Sequence, residues 1–241
     1  MNHNKKRFTL LLLYQEESGF LFNSDAHFLY DFISRFPIRG ALLDLGCGCG
    51  ILGLLCARDL PVSVTLLDRQ PHNTMLAAQN AGVNGIEAEV IEGDFLETDM
   101  PKSFDVVVSN PPYYHDGADT SDNDKIALSR AAGFLPFEAM IARINRCIKP
   151  RGRLIFCYDA KQLPMLMRVL QEKRFTVCDI RFVHGRADRP AHLVLIHARK
   201  GARSLAAIHP PLIHFDGEEM SEEVKSIYQK TRTYSIKCRI S

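Results

Sequence analysis

The sequence predicts an α/β fold: a mostly parallel sheet of seven strands, with an antiparallel strand at one edge and helices on both faces. Along residues 41–173, short apolar runs alternate with segments of helical spacing. Such alternation is typical of parallel strands joined by right-handed helical crossovers. The last two apolar runs, 175–183 and 192–198, have no helical segment between them. They therefore predict a hairpin, and with it one antiparallel edge.

The elements follow in a regular order. Apolar runs predict strands at 41–45, 62–67, 86–91, 104–108, 153–158, 175–183 and 192–198. Helical spacing predicts helices at 51–58, 71–80, 134–148 and 162–173. Pro71 suits the first turn of its helix, and Gly82 is expected to stop that helix.

We expect three parts along the chain: an N-terminal strand and helix extension (1–36), an α/β domain (37–200), and a C-terminal extension (201–241) that packs on the same domain. In the first part, residues 8–14 predict a strand, onto which 20–22 could pair back. Ser24 is placed to cap a helix. The apolar face of that helix comprises Phe28, Leu29, Phe32, Ile33 and Phe36.

Composition excludes several classes of protein. Among 241 residues, 46% are apolar and 24% charged, which disfavours disorder. The longest apolar run, 10–14, is too short to span a bilayer, and no signal-peptide pattern follows it. The seven cysteines form no CxxC pair, which favours free thiols in a reducing compartment over a metal site. We therefore expect a cytoplasmic protein without membrane segments or metal.

Charge is unevenly distributed although the net charge is only +2. Residues 181–203 carry six Arg or Lys against one acid, and residues 224–241 carry five against none. This segregation points mildly to a polyanionic partner. From charge alone, a solvated surface explains it equally well.

A glycine loop follows the first predicted strand of the α/β domain. It reads Asp44-Leu45-Gly46-Cys47-Gly48-Cys49-Gly50. Glycines at 46, 48 and 50 let the backbone turn tightly and approach a ligand. The spacing is G-x-G-x-G rather than the G-x-G-x-x-G typical of pyrophosphate loops. It better suits the amino acid and ribose parts of S-adenosylmethionine, with Asp44 facing the cationic amino group.

Two further acids end the next two predicted strands. Asp68 lies about twenty residues after the glycines, where a carboxylate can accept hydrogen bonds from both ribose hydroxyls. Asp94 follows Gly93 and could accept a hydrogen bond from the adenine amino group. Either acid alone could simply form a turn. Three acids at three successive strand ends predict one cofactor site at the carboxyl edge of the sheet.

Asn110-Pro111-Pro112-Tyr113, which follows the fourth predicted strand of this domain, is the most specific string in the chain. A planar amino group is a poor nucleophile because its lone pair is delocalised. The Asn110 side-chain oxygen and the Pro111 carbonyl can each accept one of its hydrogens and so stabilise the transition state of methyl transfer. Pro112 stiffens the loop, and Tyr113 can stack on a flat substrate. Asn110 also borders the predicted cofactor site.

Residues 41–113 resemble the class I S-adenosylmethionine-dependent methyltransferases, whose fold is Rossmann-like. Asn110 to Tyr113 resembles the motif of those that methylate planar nitrogens: adenine N6, guanine N2 or glutamine N5. The strings 19–26, 113–114, 186–195 and 210–228 resemble bacterial tRNA adenine N6-methyltransferases that act on a valine tRNA.

The resemblance implies methylation of adenosine at tRNA position 37. We expect tRNA contacts at Tyr113, Tyr114, Arg130, Arg186 and Arg189. One departure is that Ala131-Ala132 replace the polar residues expected just after Arg130. This departure bears on the tRNA target more than on the chemistry.

Other functions remain open from the sequence. They are glutamine N5 methylation of a release factor, guanine N2 or DNA adenine methylation, and a non-enzymatic RNA-binding module with an inactive cofactor pocket. Residues 1–40 are short for the helical N-terminal domain of release-factor enzymes. The complete set of acids, glycines and Asn110 disfavours an inactive pocket. The sequence does not indicate an oligomeric state.

Overall fold

A computed structural model of the chain describes residues 9–16, 24–100, 103–111 and 136–238. Its strands are β1 (Leu11–Glu16), β2 (Gly40–Leu45), β3 (Val62–Asp68), β4 (Ala88–Glu92), β5 (Phe104–Ser109), β6 (Ile148–Asp159), β7 (Phe175–His184), β8 (Ala191–Lys200), β9 (Ala207–Ile208), β10 (Leu212–Ile213), β11 (Phe215–Asp216), β12 (Glu219–Met220) and β13 (Thr233–Cys238). Its helices are α1 (Ser24–Ile33), α2 (Ile51–Asp59), α3 (Pro71–Val83), α4 (Phe137–Cys147), α5 (Leu163–Glu172) and α6 (Glu222–Thr231).

The main sheet has nine strands in the order β10-β7-β8-β6-β5-β2-β3-β4, with β9 also paired to β7. Strands β4, β3, β2, β5 and β6 run parallel to one another, whereas β8 is antiparallel to both β6 and β7. The predicted α/β fold with a mostly parallel sheet is therefore confirmed. The short strands β9 and β10 bring the sheet from the seven expected strands to nine.

The position of the antiparallel strand was predicted wrongly. The hairpin of β7 and β8 exists, but β8 lies between β6 and β7 instead of at the edge of the sheet. Residues 193–198 of β8 are all buried, whereas β7 is buried at only about every second position. A continuous apolar run is typical of a strand covered on both faces in the middle of a sheet, which fits the inner place of β8.

Helices cover both faces of the sheet, as predicted. On one face α1, α2, α3 and α6 pack against the sheet in one hydrophobic cluster. On the other face α4 and α5 form a second cluster. Helix α4 shows how the pattern works, because Phe137, Met140, Ile141 and Ile144 share one face of the helix and are all buried. Each such burial contributes about 1.5–3 kcal/mol to folding.

The first strand pairs with the last. Strand β1 runs parallel to β13, from Leu11 opposite Thr233 to Glu16 opposite Cys238. The N-terminal strand expected at 8–14 thus lies at 11–16, and the suggested partner 20–22 falls outside the described residues. Of the predicted apolar face, Phe28, Leu29, Phe32 and Ile33 are buried in α1, whereas Phe36 lies beyond the helix end and is only partly buried. Asp25, His27 and Asp31 of α1 are buried as well.

The burial of α1 on all sides comes from the C-terminal helix. His27 Nδ1 lies 3.0 Å from Thr231 Oγ1, and Lys230 Nζ donates to Asp31 Oδ1 at 2.8 Å.

The division of the chain into three parts at 36/37 and 200/201 stays a prediction. Several element ends differ from expectation: β6 begins at Ile148 instead of 153, β4 begins at Ala88 instead of 86, and α3 continues past Gly82 to Val83. Within the described ranges, no helix combines the length and apolar character needed to cross a bilayer.

Candidate functional site

Four of the predicted site residues lie at the carboxyl edge of the main sheet. Asp94 follows β4, Asp68 ends β3, Asp44 lies in β2, and Asn110 follows β5. These four strands are consecutive neighbours in the sheet. The chain adds β3 and β4 on one side of β2 and then returns to add β5 on the other side. Open α/β sheets bind ligands in the crevice at such a switch point.

The glycine loop borders this crevice in a conformation that needs glycine. Gly46, Gly48 and Gly50 have φ values of 69°, 55° and 88°, in the left-handed region. The N–H groups of Gly46 and Cys47 both donate to the Leu67 carbonyl, at 2.8 and 3.0 Å. A Cβ atom on Gly46 or Gly48 would meet no described atom within 4 Å. Backbone conformation therefore requires these glycines, and the space beside them is open.

Asp44 is almost completely buried below the loop, with 1% of its surface exposed. Its Oδ2 accepts a hydrogen bond from the Gly53 N–H at 2.7 Å. Burial raises the pKa of Asp44 to about 7, the Asp68 charge adds to the rise, and the Gly53 hydrogen bond opposes it. A carboxyl group with such a pKa responds strongly to a nearby cation, which favours its ionised form.

Gly53 makes the approach to Asp44 possible. A Cβ atom at this position would lie 2.3 Å from Leu66 Cδ2 and 3.0 Å from Asp44 Oδ2. Helix α2 therefore packs closely against β2 and β3 only because residue 53 has no side chain. The sequence analysis did not identify this glycine.

Asp68 ties the loop to the end of β3. Its Oδ2 accepts from the Gly48 N–H at 2.9 Å. Its Oδ1 accepts from the Gln70 N–H at 2.9 Å and from Asn73 Nδ2 at 3.1 Å. Each carboxylate oxygen has two acceptor positions, so Oδ2 keeps one beside the loop. The structure thus brings Asp44, Gly48 and Asp68 together.

Asp94 stands next along the edge. The Gly93 N–H donates to the Asp68 carbonyl at 3.0 Å and connects the two strand ends. Asp94 Oδ1 accepts from the Leu96 N–H at 2.9 Å, and its Oδ2 lies 3.8 Å from Arg69 Nη1. The side chain is 30% exposed, so it remains accessible from the crevice side of the strand end.

Asn110 lies on the other side of the glycine loop. Ser109 Oγ donates to the Leu45 carbonyl at 2.8 Å and joins the ends of β5 and β2. The Cys157 thiol donates to Asn110 Oδ1 at 2.9 Å. Burial raises the pKa of Cys157 well above its usual range, so the group is a protonated donor. Oδ1 keeps its second acceptor position, and Pro111 beside it is buried.

Part of the predicted site cannot be placed. Pro112, Tyr113, Tyr114 and Arg130 lie outside the described residues. Their assignments stay predictions.

Arg186 and Arg189 lie in the hairpin between β7 and β8. Because β8 is antiparallel to β6, this hairpin is at the same sheet edge as Asn110. Both arginines are exposed. The hairpin is held by the Arg189 N–H, which donates to the Arg186 carbonyl at 3.1 Å, and by His184 Nδ1, 2.7 Å from the Arg189 carbonyl. Asp188 Oδ2 lies 3.9 Å from Arg189 Nε.

Arg181 must be removed from the basic surface that charge counting suggested. It is 3% exposed, and its Nη2 donates to both carboxylate oxygens of Glu223 at 2.7 and 2.8 Å. Its Nε donates to the Pro210 carbonyl at 3.0 Å. Arg181 therefore joins β7 to α6 and is not free for a partner.

Sequence reasoning also missed Asn80, a fully buried residue of α3. Its Nδ2 donates to the Cys49 carbonyl in the glycine loop at 2.9 Å and to the Tyr14 carbonyl at 3.1 Å. Its Oδ1 accepts from the Tyr14 N–H at 2.8 Å. Asn84 binds Leu12 N–H and carbonyl in the same manner, at 2.9 and 2.7 Å. The only sequence signal was two asparagines, poor helix formers, four residues apart.

The seven cysteines are free thiols. Among the residues placed by the structure, no group of three or more His, Cys, Asp or Glu side chains is arranged to hold a metal ion.

Comparison with known families gives one match that covers most of the site. A family model described as a methyltransferase small domain matches residues 25–179. This range runs from α1 into β7 and includes the glycine loop, the three acids and Asn110.

Individual relatives align with the chain over part of its length. The chain is 29% identical, over 158 residues, to a tRNA1(Val) (adenine(37)-N6)-methyltransferase of Vibrio cholerae serotype O1, covering 64% of this chain and 65% of that protein. It is 40% identical over 109 residues to a ribosomal RNA small subunit methyltransferase C of Stutzerimonas stutzeri, covering 44% of this chain and 32% of that protein. The aligned regions thus span less than two thirds of either relative.

A solved structure shows the same fold. A predicted O-methyltransferase from Agrobacterium tumefaciens superposes with a TM-score of 0.66, at 22% identity, over 88% of this chain and 99% of that one.

Proposed function

Because this chain belongs to the methyltransferase small domain family, we propose that it transfers a methyl group from S-adenosylmethionine to the N6 amino group of an adenosine in tRNA. The resemblance found in the residues is confirmed at the level of the family. The target we propose is position 37, beside the anticodon of a valine tRNA. The observation that carries the proposal is the row of Asp94, Asp68, Asp44 and Asn110 on four neighbouring strands.

The chain's residues fit the proposed cofactor. The nearly buried carboxyl of Asp44, with its pKa raised to about 7, suits a cationic amino group. Gly46 and Gly48 leave open space beside the loop. Asp68 is oriented by Gly48, Gln70 and Asn73, with one acceptor position of Oδ2 left for a ribose hydroxyl. Asp94 lies one strand further along, where the adenine amino group would reach it.

The chemistry requires orientation more than acid–base catalysis. S-adenosylmethionine supplies an electrophilic methyl group on a positively charged sulfur. Asn110 Oδ1, held by the Cys157 thiol, and the Pro111 carbonyl would accept the two hydrogens of the substrate amino group and direct its nitrogen lone pair at the methyl carbon. The nitrogen–carbon bond forms as the carbon–sulfur bond breaks. The methylated nitrogen is then acidic and releases its proton to water without a strong base.

RNA as the substrate class is supported by the names of the relatives. The exposed Arg186 and Arg189 stand at the same sheet edge as Asn110 and suit contacts to phosphates. Tyr113, Tyr114 and Arg130 complete the proposed substrate set from the sequence. A base in an anticodon loop is single-stranded, so it can be turned into a pocket at lower cost than a base in a duplex. Action on tRNA implies a cytoplasmic location, which stays part of the proposal.

A second candidate is methylation of ribosomal RNA, including guanine N2. It is favoured by the 40% identity over 109 residues to the Stutzerimonas enzyme. That match is short, whereas the tRNA enzyme aligns over 158 residues. Glutamine N5 methylation and an inactive RNA-binding module are the remaining alternatives.

The deciding experiment is methyl transfer from labelled S-adenosylmethionine to unmodified bulk tRNA, followed by nucleoside analysis. We expect N6-methyladenosine in a valine tRNA. Label in guanosine would support methyl transfer to a planar amino group but would show that the target base is guanine and not adenine. Cofactor binding without transfer to tRNA, ribosomal RNA, DNA or a release factor would refute the assignment as an enzyme.

Asn110→Ala tests the site within the same assay. Removing one preorganised acceptor should lower kcat about 100- to 1000-fold. The Kd of S-adenosylmethionine should change less than about threefold, since the interaction is made mainly in the transition state. Asn145→Ala is the matched control, because Asn145 bonds the Lys173 carbonyl, away from the site. Activity of Asn110→Ala within a few-fold of wild type would exclude the proposed role.

A further inference from the structure

Three arginines meet at the amino end of the main sheet, the end opposite the methyl-transfer site. Arg153 in β6 stands directly opposite Arg199 in β8 in the strand register. Arg39 immediately precedes β2 and acts electrostatically on Arg153. We call Arg39, Arg153 and Arg199 the arginine cluster.

The arginine cluster forms no direct ion pair with an acid among the described residues. In the part of the chain that the structure describes, none of the three guanidinium groups forms a hydrogen bond or an ion pair. The Nε atoms of Arg153 and Arg199 are fully buried and unpartnered. The Nε2 of His197, two residues along β8 from Arg199, is also buried and unpartnered, but it is an acceptor because Nδ1 carries the proton donated to Asp179. Buried donors are normally satisfied, so orphan donors gathered in one place need an explanation.

Nearby acids are already bound elsewhere. Asp179 lies 2.8 Å from His197 Nδ1 and 2.9 Å from His209 Nε2. Asp105 accepts from Lys149 Nζ at 2.8 Å and from the Ala41 N–H at 2.9 Å. Neither carboxylate forms a direct ion pair with the cluster, although Asp105 and Arg39 attract each other at longer range.

The cluster is unfavourable in the protein alone. Like charges directly opposite each other destabilise a sheet. Burial lowers the pKa of Arg153, and the positive charges of Arg199 and Arg39 lower it further. Arg remains charged at any physiological pH, so the repulsion cannot be relieved by loss of a proton. A bound anion beside the outer nitrogens of the guanidinium groups would reduce the repulsion.

The surface provides room for such an anion. Arg39 and Arg153 line an open cleft of about 480 Å³ together with Phe36, Pro37 and Pro61. The cleft is separate from the methyl-transfer site: Arg153 precedes Cys157, the partner of Asn110, by four residues, which is about 13 Å along a strand.

We propose that the arginine cluster binds a phosphate group. Guanidinium groups match phosphate oxygens in a planar, two-pronged geometry and are weakly hydrated, which makes arginine the preferred residue for such sites. The phosphate could belong to an RNA backbone or be a free oxyanion. The inference rests on the cluster alone and is independent of the proposed methyl transfer.

Thermal unfolding of the full chain tests the site with inorganic phosphate as the probe and chloride at equal ionic strength as reference. Phosphate should raise the Tm of the wild type in a saturable manner, by about 5 °C or more at a hundredfold excess over its Kd. The double variant Arg153→Gln/Arg199→Gln should lose this excess. Arg146→Gln, an exposed arginine of α4 on the other face of the sheet, should retain it.

Either of two results would overturn the proposal: equal Tm values in phosphate and chloride for the wild type, or an undiminished phosphate effect in the double variant. If the double variant does not fold, the exposed Arg39→Gln takes its place and should at least halve the phosphate effect.

Measurement of tRNA binding over a salt series distinguishes an RNA phosphate from a free oxyanion as the ligand of the arginine cluster. A phosphodiester contact predicts that the double variant binds tRNA more weakly and that the slope of log K against log salt falls by about one per lost contact. Unchanged tRNA binding, together with loss of the phosphate effect on Tm, would assign the site to a free oxyanion. These tRNA measurements do not depend on methyl transfer, so failure of one proposal leaves the other intact.

Discussion

Asn80 allows the link between the terminal strands and the proposed cofactor loop to be tested. Asn80→Ala removes three hydrogen bonds, two to the Tyr14 backbone and one to the Cys49 carbonyl. At about 1 kcal/mol net each, the free energy of unfolding should fall by about 3 kcal/mol. Of these three bonds, only the one to the Cys49 carbonyl reaches the glycine loop. If its share is about 1 kcal/mol, the Kd of S-adenosylmethionine should rise about fivefold.

Asn84→Ala is the matched control. It also removes three hydrogen bonds, two to the Leu12 backbone and one to the Asn80 carbonyl, and none reaches the loop. Calorimetric titration with S-adenosylmethionine and urea unfolding should show a stability loss for both variants but a weaker cofactor affinity only for Asn80→Ala. Equal changes of Kd in both variants, or no change in Asn80→Ala, would refute a positioning role for Asn80.

Two further predictions concern buried charges. Because the pKa of Asp44 is about 7 and a cationic amino group would bind its ionised form, the affinity for S-adenosylmethionine should rise between pH 6 and 8, steeply below 7 and little above it. Calorimetric titration should show this rise in the wild type and not in Asp44→Asn; a wild-type Kd independent of pH would contradict the assignment. Glu223→Gln should lower the free energy of unfolding by about 2 kcal/mol, since Arg181 would keep its buried charge without a full counter-charge. Glu222→Gln is the control: the Glu222 side chain is 90% exposed, so the free energy of unfolding measured with denaturant should not change. An equal loss of stability in both variants would show that the ion pair of Glu223 with Arg181 makes no specific contribution.

Local patterns determined the elements of this protein. Apolar runs and helical spacing located all seven main strands and the helices α1 to α5, because burial of one face or both leaves a periodic trace in the chain. That Asp44, Asp68 and Asp94 share one edge could also be inferred, since the carboxyl ends of parallel strands lie together. The position of Asn110 next to Asp44 followed only from the strand order. The glycine loop was predictable because its backbone conformation suits few other residues.

Only the tertiary structure decided which distant segments meet. Strand β1 pairs with β13 across more than 200 residues, β8 enters between β6 and β7, and Arg181 is buried against Glu223. Asn80 and the arginine cluster matter through their neighbours, none of which is close in sequence. Periodicity records how deeply a residue is buried but not what it is buried against. Pairing and charge environment depend on contacts that form when the whole chain folds.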